Sequence, residues 1–244
     1  MEVLLLSTST LYNERYLEYA LDPIREWLGT EREILFVPYA LADHDAYTAK
    51  VADAFSSLGV KVRGIHRCAA ADASAAIADS SHIFVGGGNT FRLLNTLYSK
   101  SLLEPIRSSV IDAGSRYLGS SAGTNIAGLT IRTTNDMPIV EPTSFGALGF
   151  VPFQLNPHYL DPIPDLPHMG ETRETRLTEF LEENDCPVLG LREGAWLKVG
   201  GESLRLEGHT ARLFQRERPP VEYAAGSDLS WLLKSQARLH SNNA

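Results

Sequence analysis

Along the first half of the chain, short runs of consecutive apolar residues alternate with longer stretches in which apolar residues recur every three or four positions. The runs read as strands buried on both faces, and the periodic stretches as amphipathic helices. Residues 2–7 predict a first strand, and the apolar spacing through residues 16–27 a first helix. A second strand is predicted over 33–39, followed by a helix over 45–58 that Gly59 stops. A strand at 60–65, an Ala-rich helix at 71–78 and a buried strand at 82–85 continue the rhythm. This alternation predicts an α/β fold, a mainly parallel sheet with helices on both faces. Beyond residue 130 the pattern loosens. Residues 131–139 read as a loop, the residues from 154 as a short strand ending at His158, 168–183 as a helix and 187–191 as another buried strand. Short strands are predicted at 195–199, 203–206 and 211–215, and a frayed polar tail at 235–244. No repeat or linker interrupts the chain, so 1–244 reads as a single domain.

Composition narrows the classes of function. With 244 residues, 43% of them hydrophobic, the chain can bury a large core. A formal net charge of −8 argues against nonspecific binding to nucleic acid or to anionic membranes. No apolar run approaches the roughly 20 residues that span a bilayer, and residues 1–6 lack the basic flank of a signal peptide. The cytoplasm is the predicted location. Cys68 and Cys186 lie far apart, outside any metal-ligand spacing, so neither a disulfide framework nor a metal site is expected.

Candidate chemistry concentrates at strand ends. Arg116 to Gly119 leads into Ser120-Ser121-Ala122-Gly123, the G-x-S-x-G spacing of a nucleophile elbow. Gly119, Ala122 and Gly123 are small enough for strand and helix to approach closely, and Ser121 would project its hydroxyl at the helix N-terminus. The same spacing also suits an ordinary Gly/Ser-rich turn. The strand at 82–85 runs into Gly86-Gly87-Gly88-Asn89-Thr90, whose N–H groups could cradle phosphate or stabilise an oxyanion. Neither phosphate-loop pattern is matched. His158 sits between Pro157 and Pro162 on a rigid loop suited to a general base, and Glu193 follows a strand and precedes Gly194. Glu171, Arg173, Glu174 and Arg176 open a helix and could form no more than a solvated face.

Six segments in order carry a resemblance: Val85 to Thr90, Gly119 to Gly123, Arg132 to Ile139, Asn156-Pro157-His158, Gly170 to Glu174, and Gly190 to Gly194. Together they resemble peptidase E, the α-aspartyl dipeptidase family, related in fold to class I glutamine amidotransferases and to cyanophycinases. The resemblance implies a serine peptidase that releases N-terminal aspartate from Asp-Xaa dipeptides. It implies Ser121 as nucleophile, His158 as base and Glu193 as the acid that orients it, with the N–H groups of Gly88 and Ala122 as oxyanion hole. Arg173 would receive the substrate's β-carboxylate, with Arg176 as second choice, and Asp136 would bind the α-amine or support the triad. It further implies a homodimer and a mechanism without metal or cofactor. A cyanophycinase-like peptidase or carboxylesterase would share Ser121 and His158 without needing Arg173. A nonenzymatic nucleotide-binding module would instead use residues 86–88.

Overall fold

The structure, a computed structural model, describes residues 1–162 and 170–240. The predicted alternation is present, with shifted edges. Strand β1 (Glu2–Leu6) is followed by a 3-10 turn and helix α1 (Leu21–Leu28), shorter than predicted because Leu17 takes a left-handed backbone, φ 59°. Next come β2 (Glu33–Val37), α2 (His44–Ser56), β3 (Lys61–Gly64), α3 (Ala73–Ala78) and β4 (His82–Val85). Asp43 caps α2 by accepting from the Ala46 N–H at 2.9 Å, and Asn89 likewise caps α4 (Thr90–Ser99) through Arg92 at 3.0 Å. Helix α5 (Leu103–Ile111) has no counterpart among the predicted elements. It tolerates Pro105 because a first-turn residue has no helical N–H bond to lose. Then follow β5 (Arg116–Ser120), the one-turn α6 (Ala122–Asn125), β6 (Gln154–Pro157), α7 (Arg173–Glu183) and β7 (Val188–Leu191). The predicted start of α7 at His168 lies outside the described residues. The chain closes with β8 (Trp196–Gly200), β9 (Ser203–Glu207), β10 (Ala211–Gln215) and β11 (Arg218–Tyr223). The last was not predicted, since Pro219 and Pro220 mask it, and it pairs only with β10, at a sheet edge where proline is tolerated.

Seven strands form a sheet in the order β3-β2-β4-β5-β1-β8-β9, parallel from β3 to β1 and antiparallel beyond. Strand β1 shows why its run is apolar throughout. Val3 and Leu5 join a core with α4 and α5 on one face, while Leu4 and Leu6 join Ile24, Trp27, Val51 and Phe55 on the other. Each fully buried aliphatic side chain contributes about 2 kcal/mol.

The C-terminal strands do not simply extend this sheet. Strands β11-β10-β7-β6 make a second, four-stranded sheet whose inner face, through Leu155, Leu189, Leu191 and Leu213, joins the first core. Its outer face carries Tyr159, Val188 and Phe214 against Leu177 and Leu181 of α7. The tail that was predicted to fray is held as far as His240. Arg238 exchanges backbone hydrogen bonds with Asp185 at 2.7 and 2.9 Å, and the Arg132 guanidinium donates to the His240 carbonyl at 2.6 Å.

Candidate active site

Strands β4, β5 and β1 are neighbours, and their carboxyl ends form one rim, where open α/β sheets place their sites. At the end of β5, Ser121 adopts φ 51°, ψ −108°, the strained apex of an elbow. The flanking glycines are required by contact. A Cβ on Gly119 would lie 2.6 Å from the Gly123 carbonyl oxygen, and one on Gly123 would collide with the carbonyl of Val85. The Ser121 N–H donates to the Leu6 carbonyl at 3.0 Å, which ties the elbow to β1.

The Ser121 hydroxyl lies 2.9 Å from His158 Nε2, and His158 Nδ1 lies 2.8 Å from Glu193 Oε1. The two contacts together select the imidazole tautomer protonated on Nδ1, which leaves Nε2 free to accept from the serine. These three groups come from different places: Ser121 from the large sheet, His158 from the end of β6 and Glu193 from the turn after β7. His158 itself has φ 54°, a left-handed backbone for a residue with a side chain. The arrangement can move a proton from hydroxyl to imidazole while a carboxylate stabilises the charge that forms.

A cleft of about 310 Å³ opens over the pair, lined by Ser121, Ala122, His158, Thr90, Asp136 and Arg173 among others. A cleft of about 590 Å³ between α1 and β8 is larger, but mixes acids with bases and holds none of these groups. Asp136 Oδ2 accepts from the N–H and hydroxyl of Thr90 at 2.7 and 2.6 Å, which seats this carboxylate on the first turn of α4. Arg173, at the start of α7, is half-buried. Burial and the nearby Arg176 guanidinium loosen its proton, against the opposing pull of Asp136. Arginine stays charged regardless. Arg176 pairs at 3.5 Å with Glu171 on the surface and does not line the cleft.

The glycine loop after β4 is packed closely. A Cβ on Gly87 would lie 2.9 Å from that of Ser121, and one on Gly88, φ 133°, would lie 2.6 Å from the Ala40 carbonyl oxygen. A Cβ on Gly86 would collide with the Tyr47 hydroxyl. These glycines answer to packing around the elbow, which weakens a phosphate cradle as their reason. Ala122 borders the cleft directly and Gly88 sits one residue past the glycine that abuts Ser121. Among the described residues no group of three or more His, Cys, Asp or Glu side chains could hold a metal ion, and no helix is long and apolar enough to cross a membrane.

The sequence pattern of Peptidase family S51 matches residues 3–207. The chain belongs to peptidase family S51. It is 56% identical over 234 residues to Peptidase E of Streptomyces coelicolor, covering 96% of this chain and 95% of that one. It is 48% identical over 235 residues to a protein of Drosophila melanogaster named probable alpha-aspartyl dipeptidase, covering 95% and 97%. A crystal structure of a peptidase from an acI-B1 Actinobacterium shares the fold at TM-score 0.67 and 16% identity, over 93% of this chain and 96% of that one.

Family S51 membership agrees with the resemblance read from the motifs, but several polar residues that build the site escaped that reading. Asn135 donates to the Pro157 carbonyl at 2.7 Å and accepts from Asn156 at 2.8 Å, bracing the strand before His158. Asn125 in α6 donates to the Leu155 carbonyl at 2.8 Å and joins the elbow to β6. Arg192 makes a bidentate pair with Asp161 at 2.7 Å and also reaches Glu222 and Thr210. That contact pulls the Asp161 carboxyl below its usual range. A basic residue beside the candidate acid was the available signal for this network.

Proposed function

We propose that this chain is a serine dipeptidase that hydrolyses dipeptides with an N-terminal aspartate. The observation that carries this reading is the hydrogen-bonded chain from Ser121 through His158 to Glu193 beneath a cleft containing Arg173 and Asp136. The relatives named Peptidase E and probable alpha-aspartyl dipeptidase point the same way. Ser121 is the nucleophile. As its Oγ bonds to the carbonyl carbon of the aspartyl residue, its proton passes to His158 Nε2, and Glu193 stabilises the imidazolium. The oxyanion is received by the N–H groups of Ala122 and Gly88, each such donor contributing about 3 kcal/mol. His158 then protonates the leaving amine as the C–N bond breaks. Water, deprotonated by the same imidazole, releases aspartate and restores Ser121. Arg173 takes the β-carboxylate in a bidentate pair. Asp136, with one oxygen committed to Thr90, offers the other to the substrate's α-ammonium. No step needs a metal or cofactor. A single domain, a homodimer and a cytoplasmic location complete the proposal, and sedimentation measures the second of these.

The test compares Asp-Leu, Asn-Leu, Glu-Leu and N-acetyl-Asp-Leu. The wild type is expected to cleave only Asp-Leu, and Ser121→Ala to lose at least about 10⁴-fold in kcat. Retained activity in Ser121→Ala would sink the serine mechanism. Equal cleavage of Asp-Leu and Asn-Leu would move the assignment to a broader peptidase or esterase.

A further inference from the structure

The three groups of the relay sit on separate segments, yet their backbones converge on two consecutive residues at the end of β1. Leu6 holds the nucleophile, accepting from the Ser121 N–H at 3.0 Å. Ser7, wholly buried, holds the other two. Its Oγ accepts from the His158 N–H at 3.1 Å and donates to the Leu191 carbonyl at 2.8 Å, while its own N–H donates to the Ala195 carbonyl at 2.9 Å. Leu191 and Ala195 bracket the turn that presents Glu193, so Ser7 fastens that turn at both ends.

We propose that Ser7 is a positioning residue for the relay, setting the base and the acid at one distance from each other and from the nucleophile. The inference rests on the serine mechanism above. Its physical basis is the strain at His158. A left-handed backbone for a side-chain-bearing residue is strained and persists only where its surroundings over-determine it. The Ser7 hydroxyl supplies that constraint, because its acceptor lone pair faces the His158 N–H and its proton is committed to Leu191. Alanine at this position removes both contacts at once: the His158 N–H loses its acceptor, while the Leu191 carbonyl keeps only the Tyr159 N–H at 2.9 Å. The His158 turn is then free to relax by a fraction of an ångström. A displacement near 1 Å in a catalytic constellation reduces turnover by about 100-fold.

Wild type, Ser7→Ala, Ser7→Cys and Ser121→Ala are compared as full chains in two assays: Asp-Leu hydrolysis, and the rate of modification by a fluorophosphonate. The second reads activation of Ser121 without reference to substrate. Both are scaled to the folded fraction by near-UV circular dichroism. Ser7→Ala is expected to lose about 10- to 100-fold in kcat and in modification rate, with KM changed by about twofold or less. Cysteine fills the same space with a weaker hydrogen-bonding sulfur, so Ser7→Cys should fall between alanine and wild type, and it carries the test if the alanine variant does not fold. A Ser7 that only stabilises the fold would lower Tm while kcat and modification rate stayed within about twofold of wild type in both variants, and that result overturns the proposal. A wild type modified by the probe yet inert toward aspartyl dipeptides would refute the proposed substrate, and the Ser7 inference would stand or fall on the modification rates. A wild type that neither cleaves Asp-Leu nor reacts with the probe refutes both.

Discussion

The nucleophile and its two partners are held in place by different physics. The elbow is a steric device, in which Gly119 and Gly123 bring backbone against backbone at distances no Cβ would allow and Gly87 lies against the Ser121 Cβ. The arm that carries His158 and Glu193 is a polar device on the second sheet, fixed by the Ser7 and Asn135 hydrogen bonds and by the Arg192 pair with Asp161. Packing against a carbonyl is all-or-none, because the chain cannot yield without separating strand from helix. A polar staple can be removed one bond at a time. Substitutions at the elbow should therefore fail abruptly, and substitutions along the arm should give graded losses.

The largest effect should follow from Gly123→Ala. Its new Cβ would meet the Val85 carbonyl, so the expectation is a loss of about 3 kcal/mol or more by urea unfolding, with loss of probe modification. A folded, reactive Gly123→Ala protein would break the comparison by showing that the elbow can yield. Arg173→Ala comes next. Removing the guanidinium leaves the substrate's β-carboxylate unpaired in the cleft, so kcat/KM for Asp-Leu should fall by about 100-fold while Asn-Leu remains uncleaved. An unchanged preference for aspartate would move the specificity cation elsewhere.

How much of this was legible follows the same division. The elbow is written in five consecutive residues, and the end of β4 in three glycines, so both could be read directly. His158 was legible from its place between prolines and Glu193 from its place after a strand. Their meeting was legible only through the family resemblance, because it depends on β6 and β7 pairing in a second sheet that no local pattern announces. Ser7 was hidden for the same reason. Its partners lie 151 and 184 residues away in sequence, and beside them it reads as the polar end of a strand. Strand β11 and helix α5 were obscured by prolines that edge strands and first turns tolerate. Arg176, the second choice because it lies one turn from Arg173, pairs with the surface Glu171 at 3.5 Å and stands outside the cleft.

A smaller effect is expected where the arm is weakened without touching the relay. Asp161→Asn and Arg192→Met each remove the bidentate pair, whose acid is half exposed, so the coupling from a double-mutant cycle should be about 1–2 kcal/mol. Turnover should fall by roughly tenfold, less than for the alanine at Ser7, because the Ser7 bonds still fix the turn. Additive losses in the double variant would show that the pair does not act as a unit, and the arm would then rest on hydrogen bonds alone.

The smallest effect tests whether polar links matter only when they serve the arm. Glu31 lies before β2, at the end of the sheet opposite the site, and accepts from Ser81 and from the N–H groups of Arg32 and Glu33. These bonds hold its carboxyl down from 4.5 to about 2. A carboxylate depressed in the folded state stabilises the protein above its unfolded pKa, and that contribution disappears as pH falls through the folded value. The group is partly solvated, so Glu31→Gln should cost about 1 kcal/mol or less at pH 7. The difference from wild type should shrink as pH drops from 4.5 toward 2. Turnover of Asp-Leu should stay within about twofold of wild type, since no part of the relay leans on this corner. If Glu31→Gln instead lowered kcat as much as the Arg192 variants do, the arm would hold no special place. The relay would then depend on the rigidity of the whole sheet rather than on the staples at its carboxyl edge.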